Sequence, residues 1–483
     1  MPIKHGVYVS EVPTSVTVPI VADCGVPFVI GAAPVHLAES PAASEVPILC
    51  TSWEEFVQKF GYSEDWANYS LCEFAYSHFK LYGREPVIFC NMLSPASHKS
   101  AVTAADKAVS GGKVELPETA IPSSIVVKAA GGEGNAYVVN TDYTVTSEAG
   151  DPGQGGAVII QLLATSTHAS ETSLNIAYDA VTPASVTANV VATGLEAIEL
   201  CMSTVGVIPD LIAAPGYSED STVAALMATK AAALNGIFRG KAVVDVDCST
   251  SGADTYDEVY AWKQSHNYVD ENEIVCWPML KLGERVFHMS TQVTGLMAQI
   301  DAINESPMES PSNKNFQMDA LVNAAGSEIL QTKAQADILN SYGVVTALNF
   351  LSSGWVCWGN YCGCYPGISD VKDMFIPVSR MFDWIGNTVI RTFWQKLDKP
   401  MNRRLIDNVL DTCNIWLNGL VGAGKLIGAR AVLLESENPI TDLMAGIMKV
   451  HLYITPASPA QEIDFLLEYD ISYLTNLYGT EEV

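Results

Sequence analysis

Residues 209–246 read PDLIAAPGYSEDSTVAALMATKAAALNGIFRGKAVVDV. Pro209–Ala214 is a short apolar run stopped by Pro215 and Gly216, Ser221 opens a helical stretch ending near Gly236, and Ala242–Val246 is a second apolar run. Strands apolar at every position suit a parallel sheet with helices on both faces, where neither side of the strand meets water. A strand, a helix and a strand within this span form one right-handed crossover unit and place the centre of the chain in the α/β class.

Toward the N-terminus, Leu195–Met202 keeps helical spacing, but from about Pro95 to Thr193 the composition turns to Gly, Ser, Thr and Val. The runs SSIVVKA, AYVVN, YTVTS and AVIIQLL are separated there by the turn sequences GGEGN and DPGQGG, which predicts a separate all-β module, a sandwich. Further out, Val26–Ala33 is apolar, Ser52–Glu55 has the spacing of a capping box for a helix closed near Gly61, and Trp66–Tyr82 predicts a second helix. Its apolar face holds Leu71, Phe74, Ala75, His78, Phe79 and Tyr82, and a strand, Pro86–Asn91, follows. At the start, Gly6–Val12 (GVYVSEV) alternates and stops at Pro13. A terminal strand with no partner nearby leaves backbone donors and acceptors exposed, so pairing with a neighbouring subunit is expected.

Toward the C-terminus two amphipathic helices are expected. Arg380–Leu397 carries Met381, Trp384, Ile385, Val389 and Phe393 on one stripe, and Met401–Val421 repeats Leu405, Val409, Cys413, Trp416, Leu417 and Leu420. Pro400 reads as a first-turn proline of the second helix, and Gly419 and Gly422 as its end. An apolar stretch at Ile447–Ile454, a turn at Thr455–Pro459 and an alternating segment at Ile463–Leu474 (IDFLLEYDISYL) complete the chain, so both termini read as strands available for exchange.

A chain of 483 residues exceeds one ordinary core, and 48% hydrophobic with 17% charged residues excludes global disorder. With 54 acidic against 26 basic residues, a formal charge of −28, it would repel a phosphate backbone, so direct nucleic-acid binding is not expected. MPIKHGVYVSEVP has no basic segment leading into an apolar one, and no run is long and apolar enough for a membrane span, so neither secretion by signal peptide nor membrane insertion is expected. Eleven cysteines scattered from Cys24 to Cys413 in apolar contexts suit reduced, buried thiols and synthesis in the cytoplasm.

Motifs with a chemical reading are few. Gly419–Lys425 (GLVGAGK) meets the glycine and lysine positions of a phosphate loop, yet Leu426 stands where a magnesium-holding Ser or Thr is needed and a helix precedes it rather than a strand, so a helix-ending turn is expected. Cys357, Cys362 and Cys364 cluster without a nearby histidine to complete a tetrahedral set and read as packed thiols. No G-x-S-x-G elbow accompanies the eight histidines, and His266 and His288 read as polar surface or packing residues. Asp245 and Asp247 follow a parallel strand, where ligand sites gather in open sheets, but strand-end solvation or a turn is the expected role. Arg391, Lys396, Lys399, Arg403 and Arg404 concentrate base in an acidic chain; the ordinary reading is a solvated face, the functional one a docking surface for an acidic partner such as an inner tube.

With these residues laid out, the chain resembles the tail sheath proteins of contractile-tailed phages and phage-like bacteriocins. The likeness runs through MPIKHGVYVSEVP, GGEGNAYVV, PDLIAAPGYS with KAVVDVD, and VTGLMAQIDAINESPMESPSNK, where Ser310, Pro311 and Asn313 match. It is densest from FIPVSRMFDWI through GAGKLIGARAVL to MKVHLYITPASPAQEIDFLLEYD. Arg380 stands alone where family members often carry an arginine pair.

The resemblance implies an α/β and β multidomain fold: an N-terminal arm (1–20), a core α/β segment (21–95), an inserted β-sandwich (96–190), a subtilisin-like α/β domain without a catalytic triad (191–375), an α+β C-terminal sheath domain (376–460) and a C-terminal arm (461–483). It implies a structural, non-enzymatic subunit of a virion tail or phage-like particle, assembled in the host cytoplasm. The subunit would polymerise with itself around a tube protein, meet baseplate and terminator proteins, and contract without any cofactor or metal. The expected arm contacts are Val7, Tyr8, Val9, Ser10, Glu11 and Val12, and Ile463, Phe465, Leu467, Tyr469 and Ile471; the candidate tube contacts are the five basic residues above. The alternatives are the sheath of a bacteriocin or secretion-type injection machine, or a hydrolase or nucleotide-binding relic.

Overall fold

In the computed structural model, which describes residues 18–351 and 354–478, Leu211–Ala213 and Lys241–Asp245 are neighbouring parallel strands with every residue buried, joined by the helix Ser221–Ala232. The helix cap is Asp220, one residue before the expected Ser221; its carboxylate accepts from the Thr222 and Val223 amides and places negative charge at the positive helix end.

This unit sits inside an eight-stranded sheet ordered Trp355–Trp358, Val344–Asn349, Glu273–Cys276, Lys241–Asp245, Leu211–Ala213, Pro27–Gly31, Val87–Asn91, Ile48–Cys50. The strands at the two edges pair antiparallel and the inner ones parallel. From Pro27–Gly31 the chain passes to the edge strand Ile48–Cys50, returns inward to Val87–Asn91 beside Pro27–Gly31, then restarts on the other side at Leu211–Ala213, so the order reverses between Pro27–Gly31 and Leu211–Ala213. Helix Trp53–Phe60 is capped by Ser52, which accepts from the Glu55 amide, and ends at Gly61 as expected. The next helix begins at Ser70, not Trp66, because Tyr69 has a non-helical backbone (φ −132, ψ 67) and the Leu71 amide donates to the Ala32 carbonyl instead of an earlier turn; after Ala75 it widens to a π-helical segment, Tyr76–Leu81.

Residues 99–181 contain two three-stranded antiparallel sheets, Lys99–Ala108/Ser173–Val181/Val126–Ala129 and Lys113–Pro117/Ala157–Leu162/Tyr143–Glu148. They enclose one apolar cluster that includes Val114, Leu116, Val127, Val158, Ile160, Leu174 and Ile176. AYVVN, expected as a strand, is not one: the Asp142 carboxylate takes the Val138 amide, and Asn140 adopts φ +62, which turns the chain.

The C-terminal part begins with helix Ile376–Phe393, earlier than the expected Arg380, and continues with Arg403–Gly422. The cap of the second helix is Asn402, which accepts from the Leu405 amide, so Pro400 lies before the helix rather than in its first turn. Gly428–Val432 and His451–Thr455 form a separate two-stranded antiparallel sheet, the second strand beginning four residues later than the expected Ile447. Met381, Trp384, Ile385, Val409, Cys413, Leu417, Leu420 and Leu426 form the core here, with Ala22 packed among them.

Helix Lys333–Ser341, whose Ala336 and Leu339 are buried, opens with a capping box: the Gln335 amide donates to Thr332 Oγ1 (3.3 Å) and the Thr332 amide to Gln335 Oε1 (2.8 Å). Thr332→Ala should cost about 1 kcal/mol locally. Hydrogen exchange should then show faster exchange in 333–341 and unchanged protection elsewhere; unchanged exchange in that helix would remove the box from its stability.

Candidate functional site

Four sequence motifs suggested chemistry, and the structure accounts for each. Gly419 and Gly422 lie inside the helix Arg403–Gly422, and Lys425 donates to the Glu305 carbonyl at 3.2 Å, so GLVGAGK ends a helix as expected. Cys357, Cys362 and Cys364 are free and buried, and burial pushes their thiols up, Cys362 to about 12 and Cys364 to about 11. Among the described residues no group of His, Cys, Asp and Glu converges as a metal ion requires. His266 stacks on Trp262 and bonds its carbonyl at the surface, and Asp247 shapes a turn by accepting from the Ser249 amide, both as expected.

Asp245 and His288 depart from expectation. Asp245 is buried, not solvated: Oδ1 takes the Ser290 amide (2.8 Å), and Oδ2 takes the hydroxyls of Ser290 (2.5 Å) and Ser218 (3.2 Å), which pins the start of helix Met289–Asn304 to the end of its strand. His288, itself partly exposed, forms an ion pair through Nδ1 to Oε2 (2.8 Å) of the buried Glu73, while its amide donates to Glu73 Oε1. Burial opposes the imidazolium, but the adjacent Glu73 carboxylate, with Asp245 and Glu219 behind it, raises the pKa to about 10. Burial likewise pushes Glu219 up to about 7.

Serine, histidine and carboxylate thus meet here without the geometry of a nucleophile relay. That relay needs a hydroxyl on the histidine Nε2, whereas Ser290 is held by Asp245 and Nε2 faces Glu219 at 3.9 Å. An imidazole protonated at neutral pH cannot take a proton as a general base. No local spacing announces the pair, since Glu73 and His288 lie 215 residues apart.

The basic residues do not form one free face. Arg391 is engaged by Asp23 at 2.9 Å, and Arg403 by Asp407 one turn along its helix. Lys396 and Lys399 border an apolar groove of about 410 Å³ that also includes Phe393, Leu397, Val409 and Leu452, and Arg404 is exposed beside it. Trp394 and Leu397 are exposed at the same turn.

Of the expected arms, Val7 to Val12 lie outside the described residues. Residues 461–470 form neither helix nor strand and Ile471–Tyr478 is a 3-10 helix, so the alternating pattern has not become a strand within the single chain. Ile463, Phe465, Leu467, Tyr469 and Ile471 are 71–97% exposed. An extended segment needs a sheet edge to satisfy its backbone, and among the described residues none pairs with it. The sheet Gly428–Val432/His451–Thr455 has only two strands, so each keeps an edge unpaired among the described residues. No helix among the described residues is long and apolar enough to cross a membrane.

Comparison with known proteins agrees with this picture. The tail sheath protein of Burkholderia phage BcepMu is 26% identical over 424 residues, which cover 82% of this chain and 84% of that protein. The tail sheath protein of Escherichia phage P2 is 24% identical over 295 residues, covering 59% and 69%. Among solved structures, the sheath complex of an extracellular contractile injection system, PVC, in its contracted state superposes with a TM-score of 0.58 over 98% of this chain and 99% of that one at 14% identity, a likeness of fold. No family model matches the chain. The resemblance read from the sequence is borne out by these relatives, and the fold is the mixed α/β, several-sheet arrangement of sheath structures.

Proposed function

We infer that this chain is a structural subunit of a contractile-tail sheath, which polymerises helically around a tube and shortens to drive the tube through a target envelope. The observation that carries the reading is the likeness to a phage tail sheath protein across 82% of the chain. The particle is a virion tail or a phage-like particle, assembled in the host cytoplasm; a headless bacteriocin or an injection-system sheath is the neighbouring reading, supported by the fold match to a contractile injection system. The subunit's role is mechanical, without catalysis.

In this reading the parallel sheet and its helices are a subtilisin-like scaffold, 96–190 is a β-sandwich inserted toward the outside, and 376–460 carries the links between subunits. Residues 7–12 and 463–473 are arms whose strands are exchanged, and the unpaired edges of Gly428–Val432 and His451–Thr455 are suited to receive them, because edge pairing gives main-chain hydrogen bonds that survive rigid-body movement of the neighbours. Two strands alone are marginal in water, and added strands would complete the sheet. Repeated by a screw axis, such a heterologous contact yields an open filament.

Lys396, Lys399 and Arg404, with Arg391 and Arg403, are the candidate tube contacts. Besides the tube, the baseplate and a terminator protein are the expected partners.

Negative-stain electron microscopy of the purified chain, alone and coexpressed with its tube protein, tests the reading. Hollow, helically striated cylinders are expected, and inert monomers in every condition would overturn it. Reversing Lys396, Lys399 and Arg404 to glutamate should remove sheath from tubes while self-assembly persists; unchanged recruitment would dismiss the basic contact.

A further inference from the structure

The helix Ile376–Phe393 presents three different faces. Met381, Trp384 and Ile385 pack into the C-terminal core. A second stripe holds the segment leading to the N-terminal arm: the Ala22 amide donates to Thr388 Oγ1 (3.0 Å), the Ile20 amide to Thr392 Oγ1 (2.9 Å), and Trp384 Nε1 to the Ala22 carbonyl (3.0 Å).

The third stripe, Arg380, Asp383 and Asn387, faces the α/β unit and is polar although buried. Arg380 forks onto Asp301, Nη1 to Oδ1 (3.1 Å) and Nη2 to Oδ2 (2.5 Å), and Nη2 also reaches Asp210 Oδ2 (2.9 Å). Asp301 belongs to helix Met289–Asn304, and Asp210 precedes the strand Leu211–Ala213. Asp210 further accepts the amides of Gly25 (3.0 Å) and Val26 (2.7 Å). Gly25 can lie there because φ is +71 and any Cβ would come within 2.8 Å of the Ala298 Cα. Asp383 pairs with buried Lys241 at 3.1 Å, and Asn387 exchanges two hydrogen bonds with the Arg239 backbone (3.0 and 2.8 Å). Burial pushes the Asp301 carboxyl upward against the opposing pull of Arg380, and Arg380 is held further above its usual value by Asp301 and Asp210 in spite of its burial.

Buried ion pairs contribute little net stability compared with apolar packing of the same volume, but they accept only one arrangement of their partners. Apolar surfaces are tolerant of small rotations, whereas a forked guanidinium between two carboxylates is not. The joint between the C-terminal part and the α/β part is therefore built for a fixed angle.

We propose that Arg380 is a positioning residue for sheath assembly: with Asp301, Asp210, the Lys241–Asp383 pair and Asn387 it locks the C-terminal part, and the root of the N-terminal arm, at one orientation on the α/β part, so that arms and receiving edges of successive copies meet in register. The assembly half of this proposal rests on the sheath reading; the lock itself does not.

Calorimetry and electron microscopy of the full chain test the two halves separately. The wild type should unfold its α/β and C-terminal parts in one joint transition. R380M, and N387L, which removes no charge, should split that transition and abolish long filaments while near-ultraviolet circular dichroism at room temperature stays native. A joint transition in folded R380M overturns the lock, and split transitions with wild-type filaments overturn the positioning role. Should R380M not fold, N387L and R380K decide by the same two readouts. A wild type that never forms filaments sinks the sheath reading and leaves the calorimetric result to stand on its own.

Discussion

Removal of residues 462–483 is expected to abolish filament formation while moving the melting temperature by no more than about 2 °C. Gln461, which accepts from the Tyr361 hydroxyl at 2.7 Å, stays in place. Beyond it Ile463, Phe465, Leu467, Tyr469 and Ile471 are exposed, as is Leu466 between them, so none contributes to a core within its own chain. Burying each such side chain contributes about 1.5–3 kcal/mol. Only alternate residues bury this way, so about 2–4 kcal/mol of backbone ordering is spent for each such side chain and offsets the gain; in the proposed reading main-chain pairing with a neighbour's sheet edge supplies the rest. Removing it should take little from the monomer and nearly everything from the lattice. Normal filaments from the truncated chain would eliminate the tail as a link, and a large loss of thermal stability would mean that it packs on its own body.

Replacing Glu73 by glutamine should give a large stability loss for a single change outside the apolar core. The imidazolium of His288 would lose its close carboxylate partner and keep only Glu219 at 3.9 Å, and breaking a buried pair from one side costs up to about 3–5 kcal/mol. The pH dependence has a definite sign. The folded pKa of His288, about 10, lies above its ordinary 6.5, so its contribution is fully present below pH 6.5 and is lost as pH rises through 10. Glu219 has the same sign at lower pH: its folded value, about 7, exceeds the ordinary 4.5, so ionising it as pH rises through 7 weakens the fold. Urea unfolding of the wild type should therefore show stability falling from neutral to alkaline pH, and E73Q should flatten the part of that decline between pH 6.5 and 10. An identical slope in both proteins would show that His288 is not ionised by Glu73.

Elements that are apolar over several consecutive residues were legible without coordinates. Leu211–Ala213 and Lys241–Asp245 are buried on both faces, which leaves a signal that local composition carries. The stripe of Val409, Cys413, Leu417 and Leu420 is likewise visible at helical period and lies in the core. Lys99–Ala108 was not legible: it is a ten-residue strand exposed almost throughout, so no alternation marks it, and only pairing with Ser173–Val181 makes it a strand. The buried charges were hidden for another reason. Arg380 meets Asp301 and Asp210 across 79 and 170 residues, and Asp245 meets Ser290 across 45, distances at which spacing carries no information. The single arginine of SRMF thus had no reading from its neighbours, and its importance emerges only where three segments converge.

Ile20 and Ala22 are tied to Thr392 and Thr388, and the strand ending at Thr455, just before the C-terminal tail, pairs with Gly428. The roots of both chain ends are therefore anchored on the same compact piece of protein. If successive copies are joined by these ends as proposed, tension along the row would enter and leave each copy through that piece, as force passes through the pin of a chain link rather than its plates. In the proposed exchanged-arm lattice the eight-stranded sheet and residues 99–181 would hang beside this tensile path without bearing it, so their outer loops could lengthen or change chemistry without altering how the row carries load.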